Sequence, residues 1–183
     1  MHISAIILSI LFATLSYGDK STQDASGIGE RAAAAQFDPN TWYRLTNTYL
    51  GYSQSLDVIN DDGPNSSGTL KMAESGRYSG QFWQLIPQSP GVYKLRTQFL
   101  GPNRVLDVWG DDKTKPHLAE KGNYSGQLWT ITSWGDGTWK LTNEYSGPGL
   151  HLDTYSDTHV PFMGSGDATG QHWHITAIER ISG

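Results

Sequence analysis

Three aspartates recur at the same place in a repeated pattern, within Leu56-Asp57-Val58, Leu106-Asp107-Val108 and Leu152-Asp153-Thr154. Successive side chains of a β-strand point to opposite faces, so each aspartate would face away from the two residues that flank it. An outward carboxylate can accept hydrogen bonds from two adjacent hydroxyl groups of a sugar. The alternative is a turn-capping role, repeated because the local structure is repeated.

The residue two places after each aspartate distinguishes the three copies. It is Ile59 in the first, Trp109 in the second and Tyr155 in the third. A pyranose ring packs its C–H face on an aromatic plane, so an aspartate beside an exposed aromatic ring is a minimal sugar site. The pairs Asp107–Trp109 and Asp153–Tyr155 meet this requirement, and the first copy is expected to be structural.

Two tyrosines stand near these sites in the sequence. Tyr78 and Tyr124 each follow a Gly-x pair and precede Ser-Gly-Gln, whereas Ala168 takes that place in the third copy. Both tyrosines are candidates for further stacking against sugar. Partial burial under the adjoining loop is the alternative.

The aspartates belong to an internal threefold repeat. Each unit of about 45 residues opens on an aromatic residue, at Tyr43, Tyr93 or Trp139, with a glycine eight residues and the aspartate fourteen residues later. Alternating apolar and polar residues predict about four short strands per unit, and no stretch sustains a helical period. Three such units predict a closed all-β architecture with pseudo-threefold symmetry.

Each unit closes on a Gln-x-Trp motif. We expect the tryptophans to pack around the pseudo-threefold axis, because burying a ring of this size stabilises a fold strongly. We expect the glutamines to satisfy backbone groups beside those rings, since buried amides need partners. These residues are Gln81 and Trp83, Gln127 and Trp129, and Gln171 and Trp173.

Three Gln-x-Trp motifs in register with the aspartate strands resemble the ricin-B (R-type) lectin β-trefoil and the related family 13 carbohydrate-binding modules. The resemblance covers about residues 39–179. It implies a six-stranded barrel capped by three hairpins, with one shallow sugar site in each repeat. In the family, the aspartate of each repeat is the central sugar ligand.

The chain departs from the family pattern at two kinds of position. Galactose-binding members carry an asparagine before the motif glutamine, where this chain has Gly80, Gly126 and Gly170. Their stacking aromatic on the third strand is replaced by Ala73, Ala119 and Met163. The resemblance therefore does not imply a preference for galactose.

Composition limits the class of partner. The formal net charge is -5 and the sequence has no dense run of lysine and arginine. Such a chain does not attract phosphate backbones or anionic lipid, so nucleic acid is not an expected partner. Without cysteine, packing alone must hold the fold, and we expect a monomer.

No motif for catalysis, a metal or a cofactor stands out. The acidic pairs Asp61-Asp62 and Asp111-Asp112 lie in turn-like stretches, which favours solvated loop carboxylates over a glycosidase pair. Four histidines of the third repeat are interpreted as ordinary surface residues rather than metal ligands: His151, His159, His172 and His174.

Residues 1–18 form an apolar stretch that ends in small residues and is typical of a secretory signal peptide. A membrane anchor is the alternative, although the stretch is short for a span. Residues 19–38 are interpreted as a linker or pro-segment, 39–179 as the folded domain and 180–183 as a tail. Sequons at Asn65 and Asn123 are candidate glycosylation sites.

These observations predict a secreted, non-catalytic lectin-like protein with up to three weak sugar sites. The alternative is a β-trefoil that binds protein, as a hydrolase inhibitor or a host-directed effector, through its variable loops. Those loops are Asn60 to Thr69 and Trp109 to Pro116.

Overall fold

Twelve short β-strands make up most of the regular structure in the computed structural model, which describes residues 36–59 and 68–182. The predicted signal peptide, residues 19–35 of the predicted linker and Asn65 lie outside these residues. Within the two described ranges, no helix has the length and apolar character that crossing a membrane requires.

Each repeat contributes four strands and one 3-10 turn. The first contains β1 (Thr41–Asn47), β2 (Gln54–Ile59), β3 (Thr69–Glu74), η1 (Ser79–Gln81) and β4 (Trp83–Ser89). The second contains β5 (Val92–Thr97), β6 (Arg104–Val108), β7 (Pro116–Glu120), η2 (Ser125–Gln127) and β8 (Trp129–Ser133). The third contains β9 (Trp139–Asn143), β10 (His151–Thr154), β11 (Pro161–Gly164), η3 (Thr169–Gln171) and β12 (Trp173–Arg180).

The first and fourth strands of the repeats close into a barrel. Each of β1, β4, β5, β8, β9 and β12 pairs antiparallel with its two neighbours, and β12 returns to β1. The second and third strands form three hairpins, β2–β3, β6–β7 and β10–β11. This is the six-stranded, hairpin-capped β-trefoil that the resemblance implies, and the predicted fold class is confirmed.

The motif tryptophans lie in the core with no exposed surface. Trp83, Trp129 and Trp173 belong to one cluster that includes the leucines preceding the aspartates. Each indole N–H donates to the carbonyl oxygen of that leucine in its own repeat, at 2.8, 3.0 and 2.8 Å. A buried donor is thereby satisfied, and each hairpin is tied to the barrel below it.

Phe37 lies among the aromatic residues that open the three repeats. Its ring makes edge contacts with Tyr43, Tyr93 and Trp139 at centroid distances of 5.5, 5.7 and 5.4 Å. The backbone N–H of Asp38 donates to the Tyr43 hydroxyl at 2.8 Å. The folded domain therefore includes two residues that the sequence analysis assigns to the linker.

Replacing Phe37 with alanine removes this shared contact. We expect the free energy of unfolding to fall by about 2 kcal/mol, less than for a fully buried phenylalanine, because the ring is only partly buried. Chemical denaturation measures the change. The control Tyr52→Ala removes a ring that is 68% exposed and should alter stability by no more than about 0.5 kcal/mol. Equal losses of unfolding free energy in the two variants would contradict the conclusion that Phe37 stabilises the core.

Candidate functional site

A glutamine amide fixes the aspartate of the second repeat. Gln127 donates from Nε2 to Asp107 Oδ2 at 2.9 Å and to the Glu120 carbonyl at 2.8 Å. Its Oε1 accepts from the Gly122 N–H at 2.9 Å. Asp107 Oδ1 accepts from the Val108 N–H at 2.7 Å. The carboxylate is thus held in one orientation before any ligand arrives.

The same frame recurs in the other repeats, with one difference. Gln81 donates to Asp57 at 2.9 Å, and Gln171 donates to Asp153 at 3.0 Å. Gln81 Oε1 accepts from a backbone N–H, as in the second repeat. Gln171 Oε1 is buried without a hydrogen-bond partner among the described residues. The third frame is therefore the least complete.

The aspartates are more covered than an outward carboxylate on a strand would be. Asp57, Asp107 and Asp153 are 7%, 7% and 6% exposed. The glycine before each motif glutamine packs against the carboxylate, and a Cβ on Gly126 would lie 2.1 Å from Asp107 Oδ1. Each carboxylate oxygen of Asp107 already accepts one bond and keeps capacity for another. Burial raises the pKa of Asp57.

A cleft of about 540 Å³ opens beside the aspartate of the second repeat. Its lining includes Asp107, Trp109, His117, Tyr124 and Tyr145. Trp109 is 49% exposed and Tyr124 is 64% exposed, so both rings are available to a ligand. The structure therefore brings together three residues that the sequence analysis proposes as sugar ligands, together with two that it missed.

In the second and third repeats, an aromatic residue on the third strand stacks on the exposed ring that follows the aspartate. His117 pairs with Asp107 across the hairpin and stacks on Trp109, with ring centroids 3.7 Å apart. Phe162 pairs with Asp153 and stacks on Tyr155 at 4.0 Å. Burial lowers the pKa of His117, which favours a neutral imidazole beneath the indole.

The three residues that stand in place of the family's stacking aromatic in the sequence comparison do not pair with the aspartates. The three residues assigned to that place lie farther along the third strand: Ala73 pairs with Ser55, Ala119 with Val105 and Met163 with Leu152. The hairpin register decides which residue faces the aspartate, and a slip along the strand changes the face or the position. In the first repeat the residue that pairs with Asp57 is Lys71, so no aromatic ring lies opposite this aspartate.

A turn of the third repeat supports the loop of the second repeat. The Tyr145 hydroxyl donates to the Gly110 carbonyl, and the Ser146 hydroxyl donates to the Lys113 carbonyl at 2.8 Å. The Lys113 ammonium lies 5.1 Å from the Tyr145 ring centroid. The cleft is therefore built from two repeats, which no motif within one repeat indicates.

The two candidate tyrosines are exposed rather than covered by a loop. Each ring lies against the glycine two residues before it, and a Cβ on Gly122 would be 2.4 Å from Tyr124 Cε2. Tyr78 has the same relation to Gly76. Glycine at these positions leaves room for the ring, because a Cβ there would clash with it.

The histidines of the third repeat are not all surface residues. His151 is buried and lies edge-on to Trp134, contrary to the expectation. His172 stacks on Trp134, and its two ring nitrogens bond to Asp136 at 2.7 Å and Asp167 at 2.5 Å. Burial acts to lower the pKa of His172, but the bonds to the two carboxylates outweigh it and raise the pKa.

Comparison with known proteins agrees with this geometry. Residues 79–162 match the model of a family described as ricin-type beta-trefoil lectin domain-like. The chain is similar to this family over that segment, and its fold is a β-trefoil. No curated protein sequence matches the chain significantly.

Solved structures share the trefoil fold. ThreeFoil, a designed threefold symmetric protein, superposes with a TM-score of 0.64 at 21% identity, over 75% of this chain and 99% of its own. An exo-β-1,3-galactanase from Clostridium thermocellum gives 0.62 at 23%, over 79% and 32%. The Polyporus squamosus lectin, bound to a sialylated epitope, gives 0.59 at 17%, over 76% and 50%. This chain spans only part of the last two proteins, and such identities show the fold alone.

Gly126→Ala tests the packing of the trefoil's aspartate frame. The added methyl group must displace the Asp107 carboxylate, so we expect a loss of about 1–3 kcal/mol in the free energy of unfolding. Gly149→Ala is the matched control, because a Cβ there meets nothing within 4 Å. Thermal or chemical denaturation gives both values. A Gly126→Ala variant as stable as the control would show that the frame tolerates displacement.

The His172 contacts predict a pH dependence of the trefoil's stability. Because the folded-state pKa is raised above 6.5, the stabilisation is complete below pH 6.5 and is lost as the pH rises through the raised pKa. The double variant Asp136→Asn/Asp167→Asn removes the two carboxylates that raise the pKa of His172. The difference in unfolding free energy between wild type and this variant should shrink from about pH 5 to about pH 9. A difference independent of pH would contradict the assignment.

Proposed function

We propose that this protein is a secreted, non-catalytic carbohydrate-binding protein whose principal site is the cleft of the second repeat. The observation that carries the proposal is the fixed Asp107 carboxylate beside the exposed Trp109 ring. An oriented acceptor and an exposed aromatic plane are the two elements that a pyranose needs, one for its hydroxyl groups and one for its C–H face.

The cleft supplies a defined place for each part of the sugar. Trp109 is held flat by the stack on His117, so its outer face is preorganised for a ring. The free acceptor positions of Asp107 would take hydroxyl hydrogens, and the exposed Tyr124 ring also lines the cleft. Little side-chain freedom remains to be lost on binding, which favours affinity.

The set of titratable groups in the cleft supports a binding role. Among the described residues that line it, Asp107 is the sole carboxylate. Glycoside hydrolysis generally uses two carboxyl groups that flank the scissile bond. Both oxygens of Asp107 are engaged in fixed hydrogen bonds, which suits an acceptor better than a proton-transferring acid.

The other repeats would add weaker sites. The third has Asp153 beside Tyr155, and Tyr155 is half exposed and stacked on Phe162. The first has Asp57 and the exposed Tyr78 but no aromatic at Ile59. Up to three weak sites on one domain would gain avidity for a polyvalent glycan. Secretion rests on the N-terminal sequence.

Binding to a glycan array, followed by titration with the best glycan, tests the proposal. Trp109→Ala should weaken binding about tenfold or more, since the loss of one stacking ring corresponds to roughly 1.4 kcal/mol. Trp109→Ala/Tyr155→Ala should abolish retention on a polyvalent glycan. Both rings are exposed, so neither change should unfold the domain.

Tyr52→Ala is the control, because it removes an exposed ring outside the cleft and should leave binding unchanged. Folded wild-type protein that retains no glycan would refute the proposal and favour a protein-binding trefoil. Binding that survives the double variant would refute the assignment of the site.

A further inference from the structure

The candidate sugar cleft carries a sequon on its own wall. Asn123, Tyr124 and Ser125 all line the cleft of the second repeat, and all three are exposed. The middle residue is extended, with φ -104° and ψ 139°. The Asn123 amide makes no hydrogen bond to another described residue. The acceptor nitrogen is therefore accessible, next to the rings proposed to bind sugar.

We propose that N-glycosylation of Asn123 switches off the second-repeat site, because the attached glycan fills the cleft. The inference rests on the proposed function and on passage through a secretory route that carries out this modification. In the transfer, Asn123 Nδ2 forms a bond to C1 of an oligosaccharide carried on a lipid diphosphate. The bond from C1 to the diphosphate oxygen breaks, the amide loses one proton, and the lipid diphosphate leaves.

Tethering gives the attached glycan an advantage over a free ligand. A short flexible link produces an effective concentration of the order of millimolar at an adjacent site. The attached glycan would therefore outcompete a weakly binding free glycan whose concentration is below this effective concentration. Bulk alone acts in the same direction, because the glycan would be attached to Asn123, which itself lines the cleft.

The equivalent positions in the other repeats do not form sequons. The first repeat reads Arg77-Tyr78-Ser79 and the third Asp167-Ala168-Thr169, so each lacks only the asparagine. Modification at Asn123 would therefore remove the principal site and leave the weaker ones. A polyvalent binder would lose avidity rather than all binding.

The first experiment compares the full chain secreted from a glycosylating eukaryotic host with the same chain made in bacteria. Intact-mass measurement and peptide mapping report occupancy of Asn123 separately from Asn65. Both proteins carry Tyr155→Ala, which removes the stacking ring of the third-repeat site. We expect occupied Asn123 and at least a tenfold weaker affinity for the glycan selected by the bacterial protein. Enzymatic removal of the glycan should restore binding.

Matched variants separate the glycan from the side-chain change. Ser125→Ala removes the sequon and Ser125→Thr keeps it, and the bacterial forms of both measure the direct effect of each substitution on affinity. In the Ser125→Ala background, Arg77→Asn installs a sequon in the first repeat, where a glycan should leave second-repeat affinity unchanged. Only proteins modified at Asn123 should show the additional loss.

Two results would overturn the inference: unoccupied Asn123 in the secreted protein, or occupied Asn123 with the affinity of the bacterial form. Failure of the proposed function gives a different result, namely no glycan binding by the folded bacterial protein. That result would refute both the sugar site and its inhibition by glycosylation. The mass measurements would still show whether Asn123 is modified.

Discussion

The contact between the glutamine amide and the aspartate carboxylate is the interaction on which the rest of the site depends. In each repeat, a fully buried glutamine of the 3-10 turn bonds to the aspartate of the second strand and to a carbonyl at the end of the third strand or, in the third repeat, directly after it. Removing one partner would leave a buried polar group unsatisfied, which costs more than the bond itself contributes. The frame therefore fixes the hairpin against the barrel and, at the same time, orients the carboxylate.

The frame is shared by the three repeats, whereas the surface built on it is not. The second repeat adds Trp109 on His117, and the third adds Tyr155 on Phe162. The described residues of the first repeat contain no such stack. Buried contacts that hold the fold constrain all three copies, while exposed rings are free to differ. We infer that the three repeats share one scaffold but differ in how strongly each would bind a ligand.

The sequence predicted the architecture well because a threefold pattern of spacing limits the closed folds that can bury three tryptophans. It also located Asp107, Trp109 and Tyr124, which lie in one cleft. It missed His117 and Phe162, because their position depends on hairpin register, and Tyr145, because that contact joins two repeats. The burial of His151 and the place of Phe37 in the core likewise depend on long-range packing, which local periodicity does not encode.

The most direct test of the account follows the indole N–H signals of a ¹⁵N-labelled sample during titration with a glycan selected on the array. We expect the Trp109 signal to shift in a saturable way. The signals of Trp83, Trp129 and Trp173 should stay in place, because their N–H groups are bonded to buried carbonyls. Saturable binding that leaves the Trp109 signal unchanged would contradict the central claim that this ring is the sugar platform.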